Sequence, residues 1–87
     1  MSWYPEVKTL NGTATLTVAA GAARGLALSV LTGSVSVQVG TDSAVTFAAG
    51  SVLELRGDSV GDNICRSVVL TGLSSDTTAR VVTSVGA

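Results

Sequence analysis

Six carboxylates hold most of the reactive chemistry available to this 87-residue chain: Glu6, Asp42, Glu54, Asp58, Asp62 and Asp76. Two acids facing one cleft at a fixed separation could cleave a glycosidic bond as acid and base. Here the acids stand singly along a chain too short to enclose much of a cleft. The sequence contains no histidine. That removes the nucleophile–imidazole pair and the imidazole metal site. Serine and threonine abound, but none neighbours a recognisable base. The reading is a non-enzymatic protein with no catalytic residue, no metal and no cofactor.

The densest run of oxygen ligands is Asp58-Ser59-Val60-Gly61-Asp62-Asn63. Calcium takes six to eight oxygens, and this run lacks the spacing of a known calcium loop. It reads as a solvated surface loop, with Asp58, Asp62 and Asn63 exposed. The single cysteine, Cys65, cannot form an intrachain disulfide. Lying between Ile64 and Arg66, it reads as a small buried hydrophobe; a reactive thiol or an intermolecular bridge is the alternative. Asn11-Gly12-Thr13 fits a glycosylation pattern, but an Asn-Gly turn entering a strand explains it as well.

The charge balance narrows the partners. Net charge is −1, and Lys8, Arg24, Arg56, Arg66 and Arg80 are scattered. Nucleic-acid binding needs clustered cations, so no nucleic-acid partner is expected. No stretch approaches the roughly 20 apolar residues of a membrane helix, and no secretory leader is visible at the N-terminus. The expectation is a chain made in a cytoplasm, without a membrane partner.

The elements that must position these residues are strands. Thr13–Val18, Leu26–Val30, Ser34–Val39 and Val52–Arg56 alternate apolar with polar residues. Such alternation gives a strand one dry face and one wet face. Strands are predicted over 13–20, 25–32, 34–40, 44–48, 51–56, 66–72 and 77–85, with glycine-bearing turns between them. The fold expected is all-β: a single-domain antiparallel β-sandwich, jelly-roll-like, over residues 12–87. Residues 1–11 read as an extended N-terminal arm carrying Trp3, Tyr4 and Pro5. Trp3 either caps its own sandwich or clasps a neighbouring subunit.

A domain of this size buries only about 60–65% of the surface its unfolded chain exposes, so subunit contacts are a natural source of further burial. Charged residues make up 13% of the chain and hydrophobic ones 46%. A surface so poor in charge suits a particle or a tight oligomer. Val68-Val69-Leu70, Val81-Val82 and Val30-Leu31 place apolar residues on both faces of their strands, and Val69, Val82 and Leu31 are read as subunit-interface residues.

Three features together resemble the small β-sandwich decoration and cement proteins of tailed-phage capsids. They are the aromatic N-terminal segment Met1–Pro5, the Gly/Ser/Thr/Val-rich body with hairpins such as Ala44–Leu53, and the late strand pair Val68–Gly72 and Thr77–Val82. The resemblance implies a homo-oligomer, most often a trimer, that sits on the capsid exterior. It would bind the major capsid protein lattice and staple neighbouring capsomers through many weak, repeated contacts. The arm residues Trp3, Tyr4 and Pro5 would then touch the partner. A second expectation is a carbohydrate- or receptor-binding module of a head or tail fibre, using the 57–63 loop. A third is a cellular assembly module, such as a cupin-like binding subunit without metal.

Overall fold

In a computed structural model, residues 3–57 and 64–86 are described. The 58–63 loop, with Asp58, Asp62 and Asn63, lies outside them. Eight strands follow in order: β1 (Trp3–Asn11), β2 (Thr15–Val18), β3 (Ala23–Thr32), β4 (Ser34–Val39), β5 (Val45–Ala48), β6 (Val52–Arg56), β7 (Val68–Gly72) and β8 (Thr78–Gly86). Each predicted strand has its counterpart; most are trimmed at their ends by the turns, while β3 begins two residues earlier and β8 runs one residue further than predicted.

The strands form two four-stranded sheets, ordered β1-β8-β3-β6 and β2-β7-β4-β5. Every pairing is antiparallel. Consecutive strands β1/β2, β3/β4, β5/β6 and β7/β8 fall in opposite sheets, so the chain passes repeatedly from one sheet to the other. This is the jelly-roll form of the β-sandwich.

The alternation in sequence sets the layers. On β3, Leu26, Leu28 and Val30 point inward; on β7 Val68 and Leu70, on β4 Val35 and Val37, and on β8 Ala79 and Val81 do the same. These side chains interdigitate between the sheets and leave serine, threonine and glutamine outside.

Residues 3–11, read as an arm, form strand β1. They pair with β8 along their whole length, from Trp3 opposite Gly86 to Asn11 opposite Thr78. The segment is therefore the edge strand of the first sheet, with Leu10 in the core. Cys65 corrects the sequence reading: its thiol is exposed. The neighbouring Ile64 is the buried residue, and its backbone fixes the segment by donating to Ala23 O at 2.7 Å and accepting from Gly21 N–H at 2.8 Å.

Thr77, fully buried, ties together two crossings between the sheets. Its hydroxyl accepts from Ser34 N–H and Ser74 N–H, each at 3.3 Å, and donates to Ser34 O at 3.1 Å. The β3–β4 corner at Gly33 runs directly against it in a left-handed conformation, with φ 72°. Thr77→Val keeps the shape and strands those amides. The expected loss is about 1–3 kcal/mol, read as a lower urea midpoint with unchanged slope.

Candidate functional site

Edge strands β5 and β6 belong to different sheets and leave the sandwich open between them. Phe47 lies opposite Val35, and Val45 opposite Val37, so both β5 side chains share the inward face of β4. Leu53 and Leu55 on β6 share the face of Leu28 and Leu26. Strands β4, β5 and β6 thus turn apolar side chains toward one gap, which no further strand closes among the described residues. The result is a cleft of about 240 Å³ lined by Val37, Val39, Val45, Phe47, Leu53 and Leu55, with Asp42 and Ser43 at its rim. Val45 is 58% exposed there.

Val39 and Leu55 continue into a second recess of about 390 Å³, bounded by Arg56, Ile64, Cys65 and Arg66. The boundary between the two is polar. Arg66 Nη1 bonds Asp42 Oδ2 at 3.2 Å, and Gln38 Nε2 donates to Asp42 O at 3.1 Å. Gly40, whose φ is 60°, lies against the Arg66 side chain.

The acids are placed for surface pairing. Glu6 bonds Lys8 at 3.1 Å, Asp42 bonds Arg66, and Glu54 bonds Arg56. The Asp76 carboxylate accepts from the Ser74 hydroxyl. Among the described residues no three of His, Cys, Asp and Glu gather into a group that could hold a metal. The arrangement can bind through shape and apolar contact.

A second surface lies on the outer face of the first sheet. Val7 stands opposite Val82, Pro5 opposite Ser84, and Val52 opposite Ser29. Val7 is 63% exposed, Val82 40% and Val52 71%. Pro5, Ala27 and Val82 share a shallow groove on this face with the Glu54–Arg56 pair. Pro5 and Val82, singled out from sequence, are thus brought together. Val69 is not with them: it projects half-buried from the outer face of the second sheet, between Thr17 and Gln38. Leu31 is exposed near the end of β3, and Tyr4, also exposed, lies on the inward side of β1. Val7 is hidden in sequence because residues 1–11 read as an arm, and Val52 because it opens a short strand whose inward residues are Leu53 and Leu55.

No protein-family model matches the chain, and no curated protein matches it. Solved structures do. The cupin domain of Schizosaccharomyces pombe Cnp3 superposes with a TM-score of 0.67 at 10% identity, over 99% of this chain and 54% of that one. An HTH_3 family transcriptional regulator from Vibrio cholerae gives 0.65 at 9% identity, over 98% of this chain and 44% of that one. The chain therefore spans about half the length of each of these two. A de novo designed double-stranded β-helix gives 0.62 at 11% identity, over 93% and 97%. At these identities the likeness is one of fold: the protein is a small all-β jelly roll of the double-stranded β-helix kind.

Proposed function

We propose that the chain is a non-enzymatic structural protein of a tailed-phage virion. In this reading it is a decoration or cement subunit that binds the major capsid protein lattice from outside, as a homo-oligomer, and stabilises the head. The observation that carries the reading is the outer face of the first sheet. Val7 and Val82 stand in solvent side by side, next to Ala27, with Val52 further along the same face beyond Arg80 and Ser29, and exposed apolar patches mark association surfaces. The test is localisation. Antibody raised against the purified chain is applied to density-banded particles from cultures that carry its gene. Gold label on intact heads, with many copies per particle, is expected. Chain confined to fractions without particles would overturn the proposal.

A second reading is a ligand-binding module of the cupin-like kind, without metal. The apolar β5/β6 cleft favours it, since small-molecule sites are concave and mostly apolar.

A further inference from the structure

β1 is the longest edge strand of the sandwich, and its outer side bonds to no other strand among the described residues. Which of its backbone groups are free follows from the ladder. Gly12 N–H donates to Thr77 O at 2.8 Å, one step beyond the Asn11–Thr78 pair and in the same register. Bonded and non-bonded residues alternate along an antiparallel ladder. Tyr4, Glu6, Lys8 and Leu10 therefore turn their backbone groups toward β8. Pro5, Val7 and Thr9 turn theirs to the free edge. Pro5 lies where its missing N–H removes nothing from the sheet of one copy; in a pair formed through this edge it withholds one donor per copy, leaving the bonds of Val7 and the Thr9 N–H to hold the ladder.

Edge strands invite unwanted pairing, and proteins block it with proline and inward-pointing charges. β1 has both, in Pro5 and in the Glu6–Lys8 pair on its inward side. The order of the two charges favours one arrangement, the one in which the two strands overlap along their whole length. Antiparallel pairing of β1 with β1 of a second copy, using the outward-facing groups, permits registers that differ by two residues. With Val7 opposite Val7, Glu6 of each copy faces Lys8 of the other. Slipping by one step sets Glu6 against Glu6; slipping the other way sets Lys8 against Lys8. Like charges directly opposite destabilise a pair, and opposite charges stabilise it. These are non-bonded positions, where facing side chains are closest.

We infer that the free edge of β1 is a self-recognition surface: two copies join about a two-fold axis at Val7, held in register by reciprocal Glu6–Lys8 contacts. The occupant is a second copy because the strand is charge-complementary to itself in this register. The interface is isologous. On the outer face it sets Val82, Val7 and their counterparts in one apolar row, continuous with the patch described above. The surface is independent of the capsid reading and differs from the three-fold assembly implied by the resemblance.

The test is sedimentation velocity over a dilution series, with amide exchange on the same samples. The intact chain is expected to sediment as a concentration-dependent dimer. The Val7 and Thr9 amides should gain protection as concentration rises, while those of Glu6 and Lys8 are protected throughout. Glu6→Lys and Lys8→Glu should each weaken association by at least about tenfold. The double variant E6K/K8E, which restores complementarity about Val7, should recover it. A monomer at all concentrations, a trimer, or a double variant no better than the singles would overturn the inference. The exchange of Val7 and Thr9 decides the matter without any variant, should a substitution disturb folding.

Discussion

Gly72→Ala is expected to be the most damaging single substitution in this protein. Gly72 lies buried on β7, opposite Val35. Its φ is ordinary; the constraint is space. A Cβ there would overlap the carbonyl oxygen of Gly12 and stand 2.9 Å from its carbon. Both are backbone atoms, so no side chain can swing aside. Relief requires the β1–β2 turn to lift off β7. That movement strains two hydrogen bonds, Gly12 N–H to Thr77 O at 2.8 Å and Gly72 N–H to Ala14 O at 3.0 Å. Overpacking and disrupted backbone bonds together give a loss of about 3 kcal/mol or more. A chain this size has on the order of 5–10 kcal/mol in total, and the melting temperature should fall by about 12 °C or more. Gly25→Ala is the control. Gly25 lies on the outer face of the first sheet with Leu55 O 3.6 Å from a Cβ. Melting of that variant should be unchanged or slightly raised through a stiffer unfolded chain. Equal melting of the two variants would mean that the β1–β2 turn is not held against β7.

The same contact shows why part of the fold was legible in sequence and part was not. Alternation on β3 and β4 announces strands and their inward faces, because those faces are buried and their residues apolar. β1 announced itself only as extended. Its inward positions include Glu6 and Lys8, which an open edge tolerates and a central strand would not. Its partner β8 lies at the other end of the chain, and no local pattern records that pairing. Gly72 closes the predicted 66–72 strand with nothing local to single it out, since the crowding comes from Gly12, sixty positions away in sequence. The doubly apolar strands around Val69 and Val82 were visible, but a strand's pattern does not say which sheet it joins. Only the topology places these two residues on opposite sides of the molecule. The cleft was half legible. Leu53 and Leu55 alternate plainly, yet their meeting with Val45 and Phe47 depends on two sheet edges coming together. Cys65 was misjudged because hydrophobicity ranks it with Ile64, and the backbone bonds of Ile64 decide which of the two turns inward.

Leu28→Ala and Leu53→Ala should differ sharply, although the two residues are direct cross-strand neighbours on one face. Leu28 is fully buried between β6 and β8 in the centre of the first sheet. Truncating it leaves a hole walled by residues held on both sides, so the lost transfer energy and the cavity add. The expected loss is about 2–5 kcal/mol. Leu53 lines the cleft on edge strand β6 and is only partly buried. Truncating it widens a space that already opens to water, so little cavity term arises and only part of its apolar area is lost. About 1 kcal/mol is expected. Urea unfolding of both variants measures the contrast. A large gap between them means that the β5/β6 opening exists in solution and can admit a ligand or a partner's side chain. Equal losses would mean that the two edges close on each other and seal Leu53 as tightly as Leu28. The ligand-binding reading would then lose its site, while the outer face of the first sheet and the free edge of β1 would still serve assembly.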